Sequence, residues 1–470
     1  MAGTRTSDVM DAIQNRIASR ALSPGERLPS IRSFAVTMGV SPSTITDAYD
    51  RLVAEGVIRS RPGSGFFVSG NTAPLKLTEI APQLDQAIDP FWVSRQSLDA
   101  SPAMLKPGCG WLPSDWMPNT ALRKAIRSLA RAEDAVLTEY GSTRGAYNLR
   151  RLLFQQFAGE GLDVDLDQIL LTSSGTQAID LICRFLLRPG DVVLLDDPCY
   201  FNFQALLRAH EVQVIGVPYT PAGPDMVRFV DALKEHKPRL YITNTAIHNP
   251  TGASLSPQIA HQVLKAAAAH DLVIVEDDTF AGFEPEPSPR LAVLDGLDRV
   301  IRISSFSKTL SASTRCGYIA ARPDWVEALI DLQLATNFGG PSPLTVELLY
   351  SVLSSGSYRK HRETLHRRLS RVMQDATAQL SHLGIQPWLT PRGGFYLWCT
   401  LPDLVDSADV ARAALKRNMV LAPGNVFSPS QSMSQYMRFN VSQMIEPEVY
   451  EVLADVMESV RRHSDARSDI

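Results

Sequence analysis

From about residue 100 onward the chain repeats one unit: a short apolar, β-branched run ending in small or polar residues, then a helical pattern. Ile169-Leu170-Leu171-Thr172, Val192-Val193-Leu194-Leu195, Leu240-Tyr241-Ile242-Thr243, Leu272-Val273-Ile274-Val275 and Val300-Ile301-Arg302-Ile303 are such runs. Strands alternating with helices predict an α/β fold with a mainly parallel sheet. In open sheets of that kind, ligands gather at the carboxyl ends of the strands. The residues delivered there are therefore the first place to look for chemistry.

The last of these runs empties into Ser304-Ser305-Phe306-Ser307-Lys308-Thr309-Leu310, with Arg315 following. A lysine held away from solvent can lose its proton and attack a carbonyl to form a Schiff base. Ser305 and Ser307 can hydrogen-bond a phosphate and Arg315 can neutralise one. Alone, an S-x-S-K would more often hold an ordinary surface lysine. Upstream, Ser173-Ser174-Gly175-Thr176-Gln177 opens an apolar helix, where glycine allows close approach and backbone N–H groups favour an anion. Asp196-Asp197-Pro198-Cys199-Tyr200 ends in an aromatic ring able to lie on a planar ligand. His248-Asn249-Pro250-Thr251-Gly252 and Glu276-Asp277-Asp278 complete the series. Asp277 follows an apolar run, where a carboxylate is costly unless paired, and a protonated ring nitrogen would pair it. A helix cap, a buried salt bridge or a half-buried tyrosine would explain these residues one at a time. Together, in this order, they supply a phosphate cup, a ring stacker, a donor to a phenolate, a partner for a pyridinium and an amine. Pyridoxal 5'-phosphate needs all five.

The first 70 residues form a different unit. Ser7 is placed to cap a helix carrying Val9, Met10, Ile13 and Ile17; Ser23-Pro24-Gly25-Glu26 reads as a turn; and Leu28-Pro29-Ser30 leads into a second helix with Ile31, Phe34 and Ala35 inward. Gly39 ends that helix, and Ser41 or Ser43 opens a third that runs to about Glu55. The short glycine-containing interval is that of a helix-turn-helix. Gly56-Val57-Ile58-Arg59-Ser60-Arg61-Pro62-Gly63-Ser64-Gly65-Phe66-Phe67-Val68 then reads as a wing: strand, glycine turn at Gly63 and Gly65, strand. Such a head would place Ser41, Ser43, Thr44 and Thr46 in the major groove of duplex DNA, with Arg32 and Arg61 reaching phosphates. Eight arginines face six carboxylates in residues 1–70, so the basic excess is slight and affinity must come from a local patch and two copies.

At 470 residues the chain is long enough for two or three domains, and 44 % apolar, 20 % charged and net −4 describe a globular protein rather than a disordered or wholly basic one. Five scattered cysteines without a C-x-x-C pair give neither a disulfide framework nor a zinc site, and no metal is expected. The N-terminus has no apolar signal region and no run is long enough to span a bilayer, which predicts a cytoplasmic location and no membrane partner. Residues 71–104, interrupted by Pro74, Pro82 and Pro90, look like a connector, within which Ile88, Phe91, Trp92, Val93 and Leu98 can form one amphipathic helix.

The L-P-S-x-R, G-V-S-x-S-T and L-x-x-E-G-x-I elements with the glycine wing resemble the winged helix of GntR-type regulators, and residues 105–462 resemble the fold-type-I aminotransferases. The whole chain is thus similar to the MocR, or GabR-like, subgroup of GntR regulators, with residues 463–470 as a tail. The resemblance implies a winged helix joined to a large domain with a mainly parallel seven-stranded sheet and a small C-terminal α+β subdomain. It implies that Lys308 carries pyridoxal phosphate as a Schiff base, Asp277 holds the ring nitrogen protonated, Asn249 bonds the ring oxygen and Tyr200 stacks. Ser174, Gly175, Thr176, Ser305 and Arg315 would hold the phosphate. Tyr140 matches a tyrosine that reaches the neighbouring subunit's phosphate, implying a head-to-tail homodimer, and Arg438 matches an arginine that grips an α-carboxylate. Two departures stand out. Thr46 replaces an arginine that reads guanine in some relatives, and Thr279 and Phe280 stand where the family usually has a tyrosine bonding the ring oxygen. The second predicts a bound cofactor whose Schiff base is tuned differently and whose turnover is weakened. The leading expectation is a regulator sensing the cofactor, and an amino acid, amine or vitamer, through the aminotransferase-like domain. A working aminotransferase with a secondary head, or a DNA-binding protein that uses the domain only to dimerise, are the alternatives.

Overall fold

The computed structural model describes residues 5–18, 22, 26–61, 64–69 and 90–468. The expected turn at Ser23-Pro24-Gly25, the wing tip at Pro62 and Gly63, and Pro74, Pro82 and Ile88 of the connector lie outside the described residues. The chain forms two compact units, Met1–Asp85 and Gln86–Ile470.

In the first unit, α1 (Arg5–Ala18), α2 (Ile31–Met38) and α3 (Pro42–Ala54) are followed by an antiparallel hairpin of β1 (Ile58–Arg61) and β2 (Gly65–Val68). Ser7 lies inside α1 rather than at its cap. The start of α2 is fixed by Ser30, whose hydroxyl accepts from the Ser33 N–H at 3.2 Å. It stops at Gly39, whose φ of 64° lies in the left-handed region that glycine tolerates. Ser41 then caps α3 through the Thr44 N–H at 3.2 Å, with Pro42 at the first helical position, where a missing N–H costs nothing. Val9, Ile13, Phe34, Ile45, Ala48, Tyr49, Leu52, Ile58 and Val68 close the core, and the Tyr49 hydroxyl, which burial would otherwise strand, donates to Pro29 O at 2.9 Å.

The second unit is built on a sheet of β3 (Ile169–Thr172), β4 (Val192–Asp197), β5 (Gln213–Thr220), β6 (Gly223–Pro224), β7 (Leu240–Thr243), β8 (Val273–Asp277), β9 (Val300–Ser305) and β10 (Gly317–Ala320), in the order β3-β10-β9-β8-β7-β4-β5-β6. β9, β8, β7, β4 and β5 run parallel, and β10 is antiparallel to both neighbours. The eighth strand goes beyond the seven expected. Gly223, at φ 133°, lets the chain fold straight back on the end of β5, and the Thr220 hydroxyl closes the turn onto Gly223 O at 2.8 Å. Alternate residues feed two cores, with Leu171, Leu194, Tyr241 and Ile274 on one face and Leu170, Val193, Ile242, Val275 and Ile303 on the other. Both faces are covered by helices, which is why the strands read as continuous apolar runs.

A small subdomain follows. β11 (Gln386–Pro387), β12 (Tyr396–Thr400), β13 (Ala422–Pro423) and β14 (Tyr436–Asn440) form an antiparallel sheet in the order β11-β12-β14-β13, with the helices Gly356–His382, Ser407–Leu415 and Pro447–Ser468. The last helix runs on into the stretch read as a tail.

The carboxyl end of β8 is held by buried charge. Arg302, on β9, donates to Asp278 Oδ2 at 3.1 and 2.5 Å, and Arg290 pairs with Asp278 Oδ1 at 2.6 Å. Glu276 accepts from the Leu291 and Ala292 N–H groups, each at 2.8 Å. Removing one member of such a cluster strands the rest in low dielectric. Arg302→Ala is therefore expected to cost on the order of 3–5 kcal/mol, read as a lowered melting temperature of the main unfolding transition; an unchanged melting temperature would mean that Arg290 alone satisfies Asp278.

Candidate functional site

Two surfaces carry the residues singled out by sequence. On the first unit, Ser41, Ser43 and Thr46 are exposed at the start of α3, as are Arg32 on α2 and Arg61 on the wing. Their hydroxyls are already organised: Ser41 Oγ lies 2.8 Å from both Ser43 Oγ and Thr44 Oγ1, and Thr46 donates to Pro42 O at 3.0 Å. The Arg61 guanidinium rests over the Phe67 ring at 4.7 Å. Gly65 has φ 99°, and a side chain there would press on the Arg27 guanidinium. Arg27 and Arg59, both exposed, extend this basic rim beyond the residues that the motif indicated.

In the second unit one cavity, of about 230 Å³, is lined by Ser174, Gly175, Thr176, Tyr200, Asn249, Asp277, Ser305, Lys308, Arg315 and Arg438. Strand ends and the loops after them bring these together from residues more than 260 apart in sequence. Ser174 caps the helix Gly175–Leu186 through the Gln177 N–H at 3.0 Å. Its hydroxyl is thereby committed, and the Gly175 and Thr176 N–H groups with the Thr176 hydroxyl remain for an anion. The loop can sit there because Gly317 has no side chain: a Cβ would lie 2.6 Å from Ser304 O and 2.9 Å from Gly175 N. Arg315, which also lines the cavity, adopts the left-handed region at φ 43°, an uncommon conformation for a residue other than glycine.

At the other end, Lys308 Nζ donates to Gly110 O at 2.7 Å, and the Tyr396 hydroxyl donates to the same oxygen at 3.1 Å. Burial, reinforced by the Arg438 guanidinium and opposed by Asp277, lowers the lysine pKa to about 8. Arg438 donates to Asn249 Oδ1 at 3.0 Å and Gly108 O at 2.9 Å, stacks over Tyr396 at 4.1 Å, and keeps a buried Nε without a partner. Because guanidinium only donates, Asn249 must turn its oxygen to Arg438, leaving its NH₂ to donate elsewhere. Burial raises the Asp277 pKa, countered by the hydroxyl and N–H of Thr279, which reach Oδ1 at 2.6 and 3.0 Å. No cation of the described residues pairs with Asp277, so a protonated ring nitrogen fits the position. Phosphate cup, carboxylate, ring and amine fit pyridoxal phosphate in the order that the molecule requires.

Tyr140 stands apart. It is 81 % exposed, edge-on to Phe338 at 5.1 Å, and does not line the cavity within this chain. Phe280 is buried among Phe283, Phe395 and Tyr396. Sequence reasoning missed three contributors. Thr279, noted only as a missing phenol, is the group that orients Asp277. Tyr396, from β12, brings a phenol beside Lys308 that no local motif announced. And α4 (Pro90–Asp99), inside the expected connector, supplies Val93, Ser94, Ser97 and Leu98 to the cavity wall; its amphipathic pattern was legible, its target was not.

A family profile described as aminotransferase class I and II matches residues 113–456, and one for bacterial regulatory proteins of the gntR family matches residues 5–68. The chain belongs to the aminotransferase class I and II family and carries a gntR-family head. It is 28 % identical to an uncharacterized HTH-type transcriptional regulator, YdcR, of Escherichia coli, over 92 % of this chain and 94 % of that one. It is 25 % identical to the HTH-type transcriptional regulator NorG of Staphylococcus aureus, over 91 % and 98 %. Among solved structures, the α-aminoadipate aminotransferase LysN of Thermus thermophilus, complexed with N-(5'-phosphopyridoxyl)-L-leucine, aligns with a TM-score of 0.72 at 24 % identity, covering 80 % of this chain and 96 % of its own. The kynurenine aminotransferase of Pyrococcus horikoshii gives 0.72 at 24 %, covering 81 % and 96 %. These structures establish the fold as fold type I, as the residues had indicated.

The free amine is the capturing form, so the rate at which apo protein acquires the cofactor chromophore is expected to rise with pH through about 8 and level off above it. Arg438→Gln removes a neighbouring positive charge, which raises the lysine pKa and moves the midpoint upward; a midpoint that stays put would show that burial alone sets it. Separately, Phe280→Tyr is expected to shift the absorbance–pH curve of the bound cofactor, and superimposable curves would mean the position is silent.

Proposed function

We propose that this protein is a transcriptional regulator that binds duplex DNA through its gntR-family head and senses pyridoxal phosphate, together with an amino-bearing carboxylate, in the cavity of its second unit. The observation that carries the reading is the convergence of ten chemically matched residues on one cavity in a chain that also bears a helix-turn-helix head. Pyridoxal phosphate, when bound, supplies an aldehyde that captures amines and a ring that withdraws electrons. Lys308 contributes the amine, with its proton easily lost. Asp277, oriented by Thr279, keeps a proton on the ring nitrogen, and Asn249 donates to the ring oxygen. Tyr200 covers the ring face, while Gly175, Thr176, Ser305 and Arg315, with the loop capped by Ser174, hold the phosphate. Arg438 is set to receive a carboxylate, and its partnerless Nε is a buried donor whose cost such a ligand would relieve.

The exposed Tyr140 and Phe338, 81 % and 68 % accessible, support a homodimer in which a second copy covers this face and Tyr140 reaches the other subunit's phosphate. An effector then changes DNA binding only through a difference in its affinity for two arrangements of the heads. The HTH-type regulators related along the whole chain favour this reading over a working aminotransferase, for which the complete cavity is the supporting observation.

The test is a DNA-binding titration with and without pyridoxal phosphate, for wild type and Lys308→Ala. The cofactor is expected to change the affinity of wild type at least severalfold and leave that of Lys308→Ala unaltered. Four equal affinities would remove the sensor, and steady conversion of an amino acid with a keto acid, indifferent to DNA, would favour the enzyme.

A further inference from the structure

The helix Gly356–His382 carries a charge pattern that neither its packing nor the cavity uses. Tyr358, Leu365, Leu369, Met373, Ala376 and Leu380 are its buried stripe. Between residues 356 and 371 it holds six basic residues, Arg359, Lys360, Arg362, Arg367, Arg368 and Arg371, against one acid, Glu363, in a chain whose net charge is −4. Two of the six are committed. Arg368 bonds Asp115 at 3.1 Å and lies over Trp116 at 3.8 Å, and Arg362 donates to Gly282 O at 3.3 Å. The other four are exposed: Lys360, Arg367 and Arg371, at i, i+7 and i+11, share one ridge, and Arg359 flanks it about a quarter-turn away. Arg359 meets Glu363 only at 4.0 Å, and Arg367 touches only the Glu363 carbonyl and the Thr364 hydroxyl. Among the described residues, Lys360 and Arg371 have no acidic partner.

Four like charges on one face repel one another, and packing does not require them. The head, meanwhile, has only eight arginines against six carboxylates in residues 1–70, a thin supply for gripping a polyanion. We infer that the ridge Arg359–Lys360–Arg367–Arg371 is a second DNA-contacting surface, which binds the phosphate backbone of duplex without reading its sequence. From Arg359 to Arg371 it spans on the order of 18 Å at 1.5 Å per residue, and duplex DNA presents one charge per about 1.7 Å of axis, a density that offers phosphates over the whole of that length. The inference goes beyond the sensing role and would stand whichever effector the cavity takes.

The experiment measures affinity of the full-length protein for a mixed-sequence duplex of about 60 bp between about 50 and 200 mM salt, as the slope of log K against log salt. Arg359→Gln/Lys360→Gln/Arg367→Gln/Arg371→Gln is expected to make that slope shallower by about 2–4, near 0.9 per lost phosphate contact, and to weaken binding roughly tenfold or more at the lower salt. Removing four exposed cations elsewhere, with Arg208→Gln/Arg228→Gln/Lys234→Gln/Lys237→Gln, should leave the slope within one unit of wild type. The swap Arg359→Lys/Lys360→Arg/Arg367→Lys/Arg371→Lys, which keeps the charge, should retain the wild-type slope. The ridge is overturned if its neutralised form matches wild type, if the control loses as much, if the charge-preserving swap loses the slope too, or if the change is one of oligomeric mass alone. Wild type that binds no duplex would overturn the DNA-binding reading itself, and the ridge with it.

Discussion

An amine whose proton is loosened by burial, in a cavity shared with a guanidinium, is the constraint around which the second unit is arranged. Burial and Arg438 disfavour the charged form of Lys308, and the opposing pull of Asp277 is too weak to reverse them. That balance needs both groups held with little freedom. Gly110 O receives the lysine, Asn249 and Gly108 receive the arginine, and the Tyr396 ring lies beneath it. The partners come from both the large sheet and the small subdomain, so the lysine's environment depends on the two layers being closed on each other.

Much of this was legible in the sequence because parallel strands write themselves plainly. Each apolar run ends where the sheet ends, and the next few residues fall at the ligand-binding edge. Ser174, Tyr200, Asn249, Asp277 and Lys308 could be picked out on that ground, and the caps at Ser30 and Ser41 on equally local grounds. What could not be read was whatever depends on the third dimension. Tyr396 sits on a strand of the other sheet and meets Lys308 only through Gly110, some 198 residues from the lysine. The edge strand at Gly223 is two residues long, too short to carry a periodicity. Arg302 interrupts an apolar run and pairs with Asp278, a buried charge pair that spacing alone does not reveal.

The replacement of the usual tyrosine takes on a physical form in this light. At Phe280 the chain spends an aromatic ring on packing among Phe283, Phe395 and Tyr396. The hydroxyl at Thr279 is directed to Asp277 instead of the ring oxygen, and the phenol that does approach the lysine arrives from β12. Tyr396 thus meets Lys308 through the shared Gly110 oxygen, and Thr279 supplies the hydroxyl that fixes Asp277.

The wall formed by Val93, Ser94, Ser97 and Leu98 has a mechanical corollary. These residues belong to the first described helix after the segment that joins the two units in sequence, so the point where that segment is anchored is also a side of the ligand chamber. A substitution that moves this helix therefore alters the chamber wall and the place where the chain enters the second unit together, and neither can be varied without the other.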